Sequence, residues 1–387
     1  MDSSNVGSLI IAPKYLKEEY EIFKVSESKL EELLATPQSY IKDSTLMHSI
    51  ENRPATLSTN ASTFDLIKLE SSNLLLLTKK QDKDYIIYKQ DKHVIEMEIG
   101  QASKGQIWEL MKREGIYYDG QSEFAGVKIN STMNKGIRFE EILSKCQTSE
   151  EELKKILEDL NAFELNGKLF IFDSIDSIYR TKSLLLELHK VKPIWSSIGR
   201  EVIKPFLDNL PENAANSLLN VIFEYKDNSW SLNERKAKIF CAMLLFNEKQ
   251  NYILKEFIVA FNKVTQTLLP PELLRPSTED WKTQNLFPGY PETDLRFLNK
   301  TAIITFDKKE PIIEYVDYLS LSDNLKKRFT KLGSVKKEWT KQELQHWLDE
   351  YVPSSQNLDT FLAKNGRMQS IAHPFISKGK VQIYIPK

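Results

Sequence analysis

The sequence predicts an α+β protein in which a β-rich, barrel-forming N-terminal domain is followed by tandem winged-helix units, the first and last of them closed by a β-hairpin. Three observations carry this. Short apolar or alternating runs crowd the stretch from Phe64 to Ile99. After a polar, Gly-containing segment from Gly115 to Gly136 the apolar spacing changes to that of helices. A hairpin dipeptide, Asn166-Gly167, then follows two closely spaced helical stripes.

The β-rich part is read from Phe64 to Leu69, Leu74 to Thr78, Tyr85 to Tyr88 and Val94 to Ile99, which Ser-Asn and Asp-Lys turn residues separate into a meander or small barrel. Upstream, "SESKLEELLA" sets a Ser and a Glu at capping-box spacing before Leu30, Leu33 and Leu34, predicting one helix there. The segment from Gly115 to Gly136 reads as a linker.

In the next unit Phe139, Ile142 and Leu143 form one stripe, and Leu153, Ile156, Leu157 and Leu160 a second. Thr148 and Glu151 have the spacing of a capping box for the second helix, which leaves only a short turn between the two. "AFELNGKLFIF" supplies two β-prone runs around a type I′ turn. Helix, tight turn, helix and hairpin make the layout of a winged helix. The pattern recurs more weakly. "WSLNERKAKIFCAMLLF" and "ILKEFIVAFNKVTQTLL" are helical stripes, and "TAIITF" is a strand after a Pro-punctuated connection from Pro270 to Pro291. "NLKKRFTKLG", "TKQELQHWLDEYV" and "NLDTFLAKNG" are three further helices, and the last stretch closes with a hairpin around Lys378-Gly379. The resulting division is a β-rich domain over 1–130, a first winged helix over 131–200, a middle winged-helix-like domain over 201–310 and a last winged helix over 311–387.

Composition narrows the function. The chain has 387 residues, 41% of them hydrophobic, with a formal net charge of -1, so no general attraction to nucleic acid or membrane is expected. The longest apolar runs, such as Leu74 to Leu77, are far short of the ~20 residues of a membrane span, and no signal-like run follows Met1, so a soluble protein is expected. Cys146 and Cys241 are the only cysteines and lie far apart, which fits free thiols in the cytosol or nucleus. No phosphate loop, dinucleotide fingerprint, HExxH or GxSxG motif occurs, and His48, His93, His189, His346 and His373 are scattered. No catalytic, cofactor or metal residue is assigned, and an enzyme is not expected.

Charge distribution separates the units. The helix from Ser149 to Leu160 carries Glu150, Glu151, Glu152, Glu158 and Asp159 against Lys154 and Lys155, a surface that phosphates would repel, so protein docking is expected of it. From Lys326 to Lys387, twelve cations stand against five anions, a net of +7. Lys326, Lys327, Arg328, Lys364, Arg367, Lys378 and Lys380 are the candidate DNA contacts, with weak, sequence-independent binding expected. Trp339 and Trp347 are expected to anchor the core of this last unit.

Several segments resemble the DCC family of sister chromatid cohesion proteins. "SLSDNLKKRFTKLGSVKKEWTKQELQHWLDEYV" followed by "LDTFLAKNGR" is similar to that family's C-terminal signature, and "TSEEELKKILEDLNAFELNGKLFIF" to its two-helix and hairpin segment. "FLDNLPENA" and "KAKIFCAMLLF" match its middle portion in order, so the resemblance spans roughly Phe64 to Arg367. This chain departs from the family pattern at Asn365-Gly366, where the family has an aromatic and a small residue, and in its reduced basic tail. The resemblance implies a non-catalytic nuclear subunit of an alternative clamp loader that acts on PCNA, the sliding clamp, during DNA replication and sister chromatid cohesion. It implies an N-terminal domain that joins the large cohesion-specific loader subunit and its small partner subunit in a shared barrel. Phe64, Leu66, Leu74, Leu76, Tyr85 and Ile87 are the expected partner-facing positions. The winged helices would dock the catalytic subunit of DNA polymerase epsilon and touch DNA weakly, with no membrane contact and no cofactor. A tandem winged-helix subunit of another assembly, such as an ESCRT-like trafficking complex, is the alternative.

Overall fold

In the computed structural model the first β-prone stretch forms an open sheet of six strands, β1 (Leu9–Ile11), β2 (Phe23–Lys24), β3 (Tyr40–Lys42), β4 (Ala55–Ser58), β5 (Thr63–Gln81) and β6 (Asp84–Ile99). The described residues are 9–11, 23–24, 40–42, 55–81, 84–100, 102–118, 123–124, 127–128, 135–146, 148–271, 295–305, 310–352, 357–372 and 380–386. The helix expected at "SESKLEELLA" lies outside them. The strand order is β1-β6-β5-β4-β3, with β2 also on β6, and no closed barrel is present among the described residues.

Two long strands replace the four expected short ones. Phe64 to Leu69 and Leu74 to Thr78 are both parts of β5, and Tyr85 to Tyr88 and Val94 to Ile99 are both parts of β6. The Ser-Ser-Asn interruption is a register shift between Glu70 and Leu75, opposite His93 and Asp91, so two polar interruptions face each other and the hairpin runs on through a bulge. Phe64, Leu57 and Met97 form the buried core of this sheet, with Leu66 packed against it. The unit built on the sheet comprises Met1–Ala102, Gln147–Leu153 and Pro353–Ser355.

The second unit comprises the remaining chain, Ser103–Cys146, Lys154–Val352 and Gln356–Lys387. It begins with α1 (Lys104–Glu114) and β7 (Ile116–Tyr117), so the expected linker starts with a strand that pairs in parallel with a later one. A small pair follows, β8 (Glu123–Phe124) and β9 (Val127–Lys128), then α2 (Phe139–Lys145) and α3 (Glu150–Asp159). The cap of α3 lies one residue beyond the expected Thr148 and Glu151. Ser149 N donates to Glu152 Oε2 at 3.1 Å, and Glu152 N donates to Ser149 Oγ at 3.3 Å. Glu152 Oε2 also accepts from Thr63 Oγ1 at 2.6 Å, and Ser149 Oγ donates to Ala61 O at 3.1 Å, which selects this pair over the neighbouring one.

β10 (Phe163–Leu165) and β11 (Lys168–Phe172) then form the expected hairpin, with Asn166 at φ 52° and Gly167 at φ 73°. Asp173 caps the next helix, α4 (Ser174–Val191), accepting from Ile175 N at 2.9 Å. After α5 (Arg200–Leu207) and α6 (Glu212–Leu219) comes a second such hairpin, β12 (Phe223–Lys226) and β13 (Ser229–Leu232), turned by Asp227 and Asn228, both at positive φ. Trp230 to Leu232 are thus strand rather than helix. Asn233 caps α7 (Glu234–Glu248), where the helical stripe begins.

The remaining elements are β14 (Asn251–Ile253), α8 (Leu254–Leu268), β15 (Ala302–Thr305), β16 (Ile312–Tyr315), α9 (Leu325–Val335), β17 (Trp339–Thr340), α10 (Lys341–Leu348), α11 (Leu358–Asn365), β18 (Gly366–Ala372) and β19 (Lys380–Pro386). The Pro-punctuated connection falls almost wholly outside the described residues. The sheets are β10-β11-β7, β12-β13, β14-β16-β15 and β17-β19-β18, and the bridge between Ile198 and Trp230 adds an edge to the second. One order therefore recurs from α1, α4, α7 and α9: a helix, a short edge strand or bridge, further helix, and a hairpin. A large core cluster joins the first three repeats, from Tyr117 to Ile313, and a second one built on Trp339, Trp347, Leu344 and Phe361 fills the last.

Candidate functional site

The last repeat is where sequence reading placed the nucleic-acid contacts. Each of its helices starts on a side-chain cap. Asn324 accepts from Lys327 N at 3.1 Å, Thr340 and Glu343 form a reciprocal capping box, and Asn357 accepts from Thr360 N at 2.7 Å. Trp339 and Trp347 are almost fully buried, as expected, and the Trp339 indole donates to Lys336 O at 2.7 Å. Phe329 meets Phe361 edge to face with centroids 5.6 Å apart, locking α9 onto α11. This leaves Lys364 at the end of α11 and Arg367 at the start of β18 exposed on one corner, beside the exposed Met368.

Lys326 and Lys327 are also exposed, but in the first turn of α9, a separate element from that corner. Cations there oppose the helix dipole, a placement that favours a nearby anion. Lys380 lies on β19 with its backbone opposite Ala372, and Lys378 lies outside the described residues.

Arg328 corrects the sequence reading. It is completely buried, and its guanidinium donates to four carbonyl oxygens: Trp347 at 2.7 Å, Tyr318 at 3.1 Å, Leu321 at 3.2 Å and Ser322 at 3.3 Å. Its carbon lies 4.1 Å from the ring centroids of both Tyr318 and Tyr351. The reason is helical period: Arg328 stands on the same face as Leu325 and Leu332, so its fork is turned inward and cannot reach a phosphate. Lys336 is likewise buried, paired with Glu343 and held over the Trp339 ring, and Lys341 is paired with Asp359 at 2.6 Å. The charge of +7 therefore overstates the field outside this repeat.

Around Arg328 a polar hub gathers residues from distant parts of the chain. Glu350 accepts from Lys104 Nζ at 3.3 Å, from Tyr318 Oη at 3.0 Å and from Lys300 Nζ. Burial alone would raise the Glu350 carboxyl, but the Lys300 hydrogen bond, the charges of Lys104 and Lys300 and the Tyr318 hydroxyl outweigh it and bring it to about 2. Burial pushes Tyr351 up to about 12, and burial with the neighbouring Tyr351 drives the Tyr318 hydroxyl far above its ordinary range. His346 lies 3.1 Å from the Asn299 amide, and burial followed by the Lys300 charge lowers its imidazole below the usual range. Asp323 accepts from Ser103 Oγ at 2.9 Å and Gly105 N at 3.2 Å, holding the start of α1. Among the described residues, no group of three or more His, Cys, Asp or Glu is placed to hold a metal ion.

A family model described as sister chromatid cohesion protein Dcc1 matches residues 20–348. The chain belongs to the Dcc1 family. It is also 23% identical, over 335 residues, to the human "Sister chromatid cohesion protein DCC1", an alignment covering 81% of this chain and 78% of the human one. Membership of the Dcc1 family implies a role in sister chromatid cohesion.

Of the expected partner-facing positions in this Dcc1-family chain, Phe64 and Ile87 are buried at 1% and 8% exposure, and Leu66 is partly buried against the sheet's core. Phe64 and Leu66 thus serve the sheet's own core. Leu74 and Leu76 lie on β5, and Tyr85 on β6 opposite Lys80 and Leu9. The hub was missed by sequence reading, although a signal existed: an arginine on the apolar face of "LKKRFTKL", with tyrosines at 318 and 351 nearby in sequence.

Proposed function

We propose that this chain is a non-catalytic nuclear scaffold subunit of an alternative clamp loader, acting on the sliding clamp in replication-coupled sister chromatid cohesion. The observation that carries the reading is membership of the Dcc1 family over most of the chain, joined to the fourfold order of helix, edge strand, helix and hairpin. We read that order as tandem winged helices, most completely in α9, β17, α10, α11, β18 and β19, whose sheet order β17-β19-β18 is that of the motif. The open N-terminal sheet is the element that would take up strands of the large loader subunit and its small partner, because unpaired edges accept further strands.

The early repeats would dock the polymerase epsilon catalytic subunit. The face of α3 supports a protein rather than a DNA contact, since Glu151, Glu158 and Asp159 are exposed on it. The Lys364 and Arg367 corner is the surface best suited to weak, sequence-independent DNA contact. Burial of Arg328 and Lys336 favours the alternative of a purely protein-docking array, as in a trafficking complex, because it lowers the basic surface available.

Co-expression of the full chain with the two loader subunits, with and without residues 1–102, tests the scaffold reading. A complex that forms only when the sheet is present supports it. A full-length chain that ignores both subunits refutes it.

A further inference from the structure

We propose that Glu350 closes an ionic clasp that fixes the last repeat to the first and third, and that this clasp opens locally, in response to ionic strength, before the protein unfolds. Three donors converge on one carboxylate from three places: Lys104 in the first turn of α1, Lys300 in the turn before β15, and Tyr318 in the segment leading to α9. Two further polar contacts run alongside, Asp323 with Ser103 and Gly105, and His346 with Asn299.

The junction is graded from dry to wet. Arg328 at its base is fully buried between two tyrosine rings. The charged groups at its rim are not: the side chains of Lys104, Lys300 and Glu350 are 32%, 38% and 40% exposed. Salt screens such pairs, whereas it hardly affects a dry core. The apolar share of the junction is small, since Ile303 and Val316 are the residues of the third repeat's hairpin and its exit that enter the last repeat's core cluster. The Lys300 ammonium lies over the Tyr318 ring at 5.0 Å as well as on Glu350, so the same side chain closes both contacts.

Hydrogen exchange of the full chain tests this. The reporters are the segments 103–111 and 317–323, whose Gly105 and Leu319 amides donate to Asp323 and Asp317. The reference is α7 with α8, in the large core. Glu350→Gln keeps the shape of the carboxylate and removes its charge. Lys104→Gln removes one donor without touching the last repeat. Lys341→Gln removes a pair of the same kind, with Asp359, outside the clasp.

Both clasp variants should speed exchange of the reporters about tenfold, the factor expected for one charge-assisted hydrogen bond, and leave the reference unchanged. Raising salt from about 0.05 to about 0.5 M should do the same to the parent protein and little to Glu350→Gln. Lys341→Gln should leave the reporters at parent rates. Reporters that stay at parent rates in both clasp variants overturn the proposal. So does loss of protection in the reporters and the reference together, which would make the junction part of a single cooperative core.

Discussion

Replacing Arg328 by alanine should unfold the last repeat early rather than weaken DNA contact selectively. The side chain makes four charge-assisted hydrogen bonds to carbonyl oxygens and two close ring contacts. At the lower bound of about 1.5 kcal/mol per bond the four contribute about 6 kcal/mol, and two desolvated ring contacts add about 2 kcal/mol. Relief from burying the guanidinium returns several kcal/mol, leaving a net loss of about 4 kcal/mol. At roughly 4 to 8 °C per kcal/mol for a unit of this size, the transition of the last repeat should fall by about 15 to 30 °C. Arg328→Lys keeps the charge, but its three donors on a tetrahedral head cannot reach four carbonyls around a planar fork, so about half of the loss should remain. Thermal melting by circular dichroism, with hydrogen exchange over 325–352 to locate the change, reads both variants. If Arg328→Ala melts within about 2 °C of the parent yet loses DNA retention, the guanidinium faces outward in solution and the structural account of it is wrong.

Three more outcomes follow from the same contacts. Lys364→Ala with Arg367→Ala should leave the melting temperature unchanged and, if this corner touches phosphates, lower the slope of log affinity against log salt by about 1.8, at about 0.9 per phosphate contact; an unchanged slope removes the corner from the interface. The folded Glu350 carboxyl at about 2 lies below its unfolded value, so its stabilisation is complete above about pH 4.5 and is lost as pH falls towards 2. With the side chain 40% exposed, solvent screening limits the contribution to about 1 to 2 kcal/mol, and Glu350→Gln should flatten the acid limb of a stability profile by that amount. Thr340→Ala removes the reciprocal cap of α10 and should cost about 1 kcal/mol, read as a shift in denaturant midpoint at constant slope.

Local chemistry made much of the fold legible. The Asn166-Gly167 turn has both residues at positive φ, and Trp339 and Trp347 anchor the core they were expected to anchor. Where the reading failed, a contact between distant parts of the chain decided. Thr148 with Glu151 and Ser149 with Glu152 satisfy the same capping pattern, and the bonds from Thr63 to Glu152 and from Ser149 to Ala61 distinguish them. Ser71 to Asn73 looks like a turn until His93 and Asp91 are known to bracket the opposite stretch, which lets the strand continue through a bulge. The second hairpin was hidden because Asp227-Asn228 is a weaker signal than Asn-Gly, and because Trp230 and Leu232 fit a helical stripe as well as a strand. At the candidate site, counting charges could not separate outward-facing cations from buried ones. Arg328 raises the net charge yet faces inward, and charge totals carry no information about helical face.

The way one repeat passes into the next bears on what such an array can do. β11 ends at Phe172 and Asp173 alone separates it from α4; β13 ends at Leu232 and Asn233 alone separates it from α7. In both cases the single residue is the helix cap, its carboxylate or amide oxygen accepting from the first-turn amides. A connection of one capped residue has no slack, so the axis of each new helix is set by the hairpin before it. The large core cluster then runs from the first repeat's edge strand and hairpin through the second and third repeats. The junction into the last repeat is built differently. Between Tyr315 and Leu325 nine residues intervene, held by hydrogen bonds to Arg328 and Glu350 beside the buried side chains of Val316 and Leu321. On the scaffold reading proposed above, a joint of this kind would let the repeat with the exposed Lys364 and Arg367 corner loosen at lower cost than the core shared by the other repeats.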